Sequence, residues 1–174
     1  MQSINTKISA VEVSYIYKND NVKKISKVCL PRDIFDYLSV ILNGEKTAQH
    51  WVAARASEYK EKYRVQTNSY VREASLKMII NNEFLTGYKI DPVAQLYKIQ
   101  YIDQDGEAIN DFVSIPSAMA YAMRKIELKY DTKYEYGEVI NELHQDVHDN
   151  YILSGNLACN YSDYINAVLL QNMI

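Results

Sequence analysis

Between residues 13 and 42 the chain reads "VSYIYKNDNVKKISKVCLPRDIFDYLSVIL": an alternating apolar and polar run, a polar turn, a second alternating run, then a helical pattern. Alternation with a period of two predicts half-buried strands. The intervening "YKNDN" is hairpin-turn chemistry, because Asn tolerates positive φ. Leu30-Pro31 places a proline where the first turn of a helix needs no N–H, and Ile34, Leu38 and Ile41 then give helical spacing. A second helix is expected over "AQHWVAARASEYKEKY", with Thr47 as its N-cap and a weak stripe of Trp51, Ala54, Tyr59 and Tyr63. The third follows in "TNSYVREASLKMI".

The same order recurs. Residues 98–127, "KIQYIDQDGEAINDFVSIPSAMAYAMRKIE", lie on 13–42 without a gap at an offset of 85, matching Asp20 to Asp105, Val28 to Val113, Pro31 to Pro116 and Ile41 to Ile126. Thr132 then falls on Thr47, and an amphipathic stretch carries Tyr136, Val139, Ile140, Leu143 and Val147 on one face. After an insertion near 154–162, "DYINAVLLQNMI" (163–174) echoes "SYVREASLKMII" (69–80) at an offset of 94. The expected fold is α+β: two tandem β-hairpin-plus-three-helix units, 1–92 and 93–174, packed as a pseudo-twofold pair. A lone unit of that size buries little surface, so each half needs the other.

Composition is that of a globular protein, with 48% apolar and 24% charged residues and only 5 Gly and 3 Pro in 174. There is no apolar run of the roughly 18 residues that a membrane span needs, and "MQSINTKISAVEV" lacks the pattern of a signal peptide. Cys29 and Cys159 have no metal-type spacing and read as reduced thiols of a cytoplasmic protein. The net charge of −3 conceals a division. Residues 1–90 carry 14 Lys and Arg against 9 Asp and Glu (+5), whereas 91–174 carry 5 against 13 (−8). Such asymmetry points to a polyanion partner for the first half, or to two halves that attract each other.

"KKISKVCLPRDIFDYL" resembles the opening of a ribbon-helix-helix DNA-binding domain, a short basic strand ending in Leu-Pro that runs into an amphipathic helix. "TNSYVREASLKMI" is similar to that family's second helix, and the resemblance covers about 23–80 with a fainter copy over 108–174. It implies DNA binding through the strand, in a tandem arrangement like that of some plasmid conjugation accessory proteins. This chain departs from the family in having three helices per unit and a strand already paired in a hairpin.

The residues themselves support that reading. In an extended "VKKISKVCLP", Val28 and Leu30 face the helices and leave Lys23, Ile25, Lys27 and Cys29 on the opposite face. A two-stranded ribbon fits the major groove, where Lys reaches guanine or phosphate. Helix starts near Thr47 and Asn68 would offer backbone N–H groups to phosphate. The candidate nucleic-acid-binding set is therefore Lys23, Lys24, Lys27, Arg32, Thr47, Asn68 and Arg72, with double-stranded DNA as partner. A solvated sheet edge defended by Lys is the competing account. The matching face of the second copy, Ala108, Asn110, Phe112 and Ser114, has no basic residue.

Other chemistry is sparse. His144 and His148 stand at i, i+4, a spacing that binds transition metals, but the sequence shows no third ligand, and the expectation is a solvated outer face without metal or cofactor. There is no phosphate loop, no GxSxG and no Cys–His pairing, so a non-enzymatic protein is expected. The 16 tyrosines suit interhelix packing or protein recognition. The alternative function is a protein-binding inhibitor or adaptor of a phage or other mobile element, acting through acidic and tyrosine-rich surfaces.

Overall fold

The computed structural model describes residues 10–130, 135–152 and 161–174. Within them the element order is β1 (Ala10–Asn19), β2 (Val22–Pro31), α1 (Arg32–Ile41), α2 (Glu45–Tyr63) and α3 (Thr67–Ile79), then β3 (Gln95–Ile102), β4 (Ala108–Ile115), α4 (Ser117–Tyr130), α5 (Tyr136–Val147) and α6 (Tyr161–Leu170). A 3-10 turn over Asn82–Leu85 lies in the link between halves, and a π-helical turn, His148–Ile152, extends α5. The protein is α+β, with two separate two-stranded antiparallel sheets, and the hairpin-then-three-helices order occurs twice. Thr132 and most of the expected insertion, residues 154–160, lie outside the described residues.

The hairpins differ by one residue, and that residue matters. In the first, Asn19 pairs with Val22 around Asp20 and Asn21, whose φ values of 50° and 64° are those of a tight two-residue turn. In the second, Ile102 pairs with Ala108 around a longer loop, where the Asp103 carboxylate accepts from the Asp105 and Glu107 amides and Gly106 takes φ 81°. The ungapped offset of 85 therefore holds for β2 on β4 but not for β1 on β3, which correspond at 84. Because side chains alternate faces, this shift decides which ones are buried. Tyr15 matches buried Ile99, and Val13 matches half-buried Tyr97 rather than exposed Lys98.

At the corrected offset the two halves tie their ribbons by hydrogen bonds at matching positions, though the first pair runs in opposite directions. Ser57 Oγ donates to the Ile16 carbonyl at 2.7 Å, and Asn141 Oδ1 accepts from the Gln100 amide at 2.7 Å, each pair 41 residues apart in sequence. Glu61 Oε1 accepts from the Lys18 amide at 2.7 Å, as Gln145 Oε1 does from Ile102 at 2.9 Å, each pair 43 apart. The other ribbon edge is held from the third helix. Asn68 Oδ1 accepts from Cys29 N at 3.2 Å, and Ser162 Oγ from Ser114 N at 2.9 Å. Unpaired strand edges thus become sockets for helix side chains.

One face of each hairpin packs on its helices. Val28, Leu30, Ile34, Phe35, Leu38, Val113, Ile115, Met119 and Met123 belong to one continuous buried cluster that spans both halves. On α2 the buried positions are Ala48, Val52 and Ala56, not the expected stripe through Ala54, which is exposed. Small side chains four apart let this helix lie close along β1. Thr47 is not the N-cap. Gly44, at φ 141°, precedes α2, and Thr47 sits exposed in its first turn. Ile41, expected in the apolar spacing of α1, is 43% exposed, and Met78 near the end of α3 is 37% exposed.

Glu73 joins the halves. Its side chain is fully buried on α3, and its carboxylate accepts from the first two amides of α4, Ser117 N at 3.0 Å and Ala118 N at 2.8 Å. Tyr88 Oη donates to it at 3.1 Å, and Arg72 Nη2 lies 3.2 Å away. The α4 amides have no partner within their own helix, and a carboxylate is favoured at that positive end. Burial pushes the Glu73 carboxyl above its usual range, opposed by Ala118 N, Arg72, Tyr88 and Ser117 N. The Tyr88 hydroxyl is pushed up to about 12, by burial and by the Glu73 charge. Further links between halves are Asn81 N to the Met173 carbonyl at 2.8 Å, Tyr121 Oη to the Thr86 carbonyl at 2.6 Å, and the Lys129–Glu83 ion pair. Replacing Glu73 by Ala strands the α4 amides and Arg72, and should lower stability by about 3 kcal/mol in urea unfolding. A loss below about 1 kcal/mol would show that the junction is held by apolar packing alone.

Candidate nucleic-acid interface

The helices cover one face of each ribbon and leave the other bare. On the first ribbon the bare face carries Ser14, Ile16 and Lys18 from β1 opposite Lys27, Ile25 and Lys23 from β2. Ile16 is 58% and Ile25 77% exposed, and these two are direct cross-strand neighbours. Lys18 and Lys23 also face one another across the strands. Like charges in that position are destabilising, and neither makes an ion pair among the described residues. Lys27 is 3.0 Å from Glu12, both side chains more than half exposed, a contact of little energetic weight.

The candidate set divides in two. Lys23 and Lys27 share the bare face, and Lys24, paired with Tyr17, is exposed on the opposite side near the hairpin tip. Arg32 is the half-buried first residue of α1. Thr47 is in α2 as described. Asn68 is the second residue of α3, not a cap, and its carboxamide oxygen is taken by Cys29 N. Arg72, a quarter exposed, is bound to Glu73. These last two side chains serve the fold.

Sequence reasoning missed a second group of cations. Helix α2 runs back along β1, so its last turn and the residue after it bring Lys60 and Arg64 to the hairpin tip beside Lys18, with the Lys60 ammonium 5.6 Å above the Tyr17 ring. The sequence signal was present in "YKEKYR", but only the path of α2 places it there. Tyr59, Tyr63 and Tyr70 stack at this corner, Tyr63 on Tyr70 at 4.5 Å and 9°.

The bare face of the second ribbon is different in kind. Leu96 is 67%, Phe112 58% and Ile102 49% exposed, and Lys98 is the one lysine on it. His144 and His148, expected on a solvated face, are buried at 1% and 7% exposure. His144 stacks on Tyr161 at 4.1 Å and packs 4.7 Å from Tyr101, and among the described residues neither of its ring nitrogens has a hydrogen-bond partner. His148 Nδ1 lies 2.9 Å from Tyr161 Oη. Among the described residues no group of three His, Cys, Asp or Glu side chains is placed to hold a metal, and no helix is long and apolar enough to cross a membrane. No protein-family model, curated protein or solved structure matches the chain.

Burial holds the His144 ring below its ordinary pKa of 6.5, with Asp111 opposing and His148 adding to the effect. A base that resists protonation only when folded lets acid stabilise the unfolded chain. Stability should therefore fall as pH drops below about 6.5 toward the depressed folded value. Glu73, shifted upward, acts with the opposite sign, its contribution being full below 4.5 and declining as pH rises. Comparing wild type with His144→Phe cancels the Glu73 effect, and the variant should lose less stability between pH 7 and pH 5. Identical pH dependence in the two proteins would contradict this assignment.

Proposed function

We propose that the chain is a non-enzymatic DNA-binding protein, a transcriptional regulator or mobile-element accessory factor, whose first ribbon enters the major groove with its bare face. The observation that carries this reading is the uncovered face on which Lys18 opposes Lys23, with Lys27 and Ile25 alongside. Opposed lysines are tolerated where a polyanion relieves their repulsion, and Lys, Ser and an apolar side chain are suited to base edges and the thymine methyl. In this proposal the two hairpin-plus-three-helix units are related by a pseudo-twofold axis. Pro31 and Pro116, at the two hairpin-to-helix junctions, line one small cavity, which supports that arrangement.

A second reading, a protein-binding inhibitor or adaptor, is favoured by the exposed Leu96, Ile102 and Phe112 of the other ribbon. Salt-sensitive retention on a DNA column supports the first reading, and flow-through supports the second. The sharper test is Lys23→Ala with Lys27→Ala. If each contacts a phosphate, the slope of log K against log salt should flatten by about 1.8. Unchanged affinity and slope would reduce the lysines to a solvated edge.

A further inference from the structure

At the tip of the first hairpin a groove of about 160 Å³ is lined by Tyr17, Lys18, Asn19, Lys60, Glu61 and Arg64. Three cations face one carboxylate there, and Glu61 already accepts from the Lys18 amide. The Lys60 head is pre-placed, donating to the Arg64 carbonyl at 3.3 Å while it lies over the Tyr17 ring. That contact also covers a carbonyl at the negative end of α2, which leaves Glu61, one carboxylate against three cations, as the group that opposes an anion there. The chain leaves the groove through two left-handed residues within three positions, Arg64 at φ 61° and Gln66 at φ 57°. Strain of this kind in non-glycine residues is concentrated at functional sites.

The second half supplies an internal control. Eighty-four residues on, the corner is built from Tyr101, Ile102, His144, Gln145 and His148. Tyr101 repeats the ring of Tyr17, packing on His144 as Tyr17 does on Lys60, and Gln145 repeats the Glu61 bond to the strand. Lys18, Lys60 and Arg64 are replaced by Ile, His and His, with both histidines buried. The scaffold therefore closes without permanent cations at this corner. Lys60 also caps the end of α2 and packs on Tyr17, but the second copy shows that the corner does not need three cations to close.

We propose that this notch seats a backbone phosphate of nucleic acid, flanking the groove that the ribbon enters; the inference rests on the DNA-binding reading. The ribbon supplies contacts to base edges, and the notch fixes its register on the backbone without reading sequence.

The test is fluorescence anisotropy with two 20-base-pair duplexes of unrelated sequence, over a fourfold range of KCl. The variants are Lys60→Gln with Arg64→Gln, and the charge-preserving Lys60→Arg with Arg64→Lys. Loss of the one seated phosphate should flatten the salt slope by about 0.9, so that a fourfold rise in salt weakens the neutral variant about 3.5-fold less than wild type. The effect should be equal for both duplexes, and the charge-preserving variant should keep the wild-type slope. Should the neutral pair melt early, Arg64→Gln alone is read in the same way, with a flattening of at most about 0.9. A wild-type slope in the neutral variant, or a flattened slope in the charge-preserving one, overturns the notch. If Lys23→Ala with Lys27→Ala weakens binding while the neutral notch variant does not, the notch alone falls. A wild-type protein that binds neither duplex at the lowest salt overturns both proposals.

Discussion

A two-stranded ribbon with one face in water is marginal by itself, and most of this chain serves to hold two of them. Each ribbon is supported on one face by the common core and tied at both edges by helix side chains, Ser57, Glu61 and Asn68 in one half and Asn141, Gln145 and Ser162 in the other. Those ties satisfy strand amides and carbonyls that would otherwise template pairing with another chain. They also leave the outer face uncovered. A bare, rigid ribbon face is therefore a consequence of how the scaffold closes, and its side chains are free to serve a partner.

The two outer faces differ, whereas the helix positions that support them match. Lysines dominate the first and Leu96, Ile102 and Phe112 the second, and the hairpin-tip corner is cationic in one half and a buried His–Tyr cluster in the other. The halves are locked together by an unequal device. Glu73 caps the start of α4, whereas the residue at the matching place on α6 is Ala167, which has no group to cap α1. A buried carboxylate with four donors around it fixes the orientation of α3 on α4 more strictly than apolar packing would.

The strands, the tight first turn and the proline-initiated helices were legible in the sequence, because period-two alternation, Asn-Asp-Asn and Leu-Pro or Ile-Pro are local signals. The last helices were legible through one apolar pattern used twice, Val71, Leu76 and Ile79 matching Ile165, Leu170 and Met173. A single extra loop residue was not, since few identities anchor the alignment, yet it reverses the facing of a whole strand. Glu73 reads in sequence as an ordinary helix charge, and nothing local marks a partner 44 residues away. On the bare ribbon Lys23 and Lys27 followed from alternation. Lys60 and Arg64 join them only because α2 doubles back along β1. Asn68 and Arg72 looked like surface contacts because their partners, Cys29 N and Glu73, depend on tertiary packing.

In the proposed reading, the molecule consists of a twice-used scaffold and one cationic face that meets DNA. Amide chemical-shift mapping during titration with a DNA duplex tests that division most directly. The predicted result is perturbation concentrated at 14–27 and 60–66, with the amides of 95–112 unmoved. Shifts that are absent, or that centre on Leu96, Ile102 and Phe112, would contradict it.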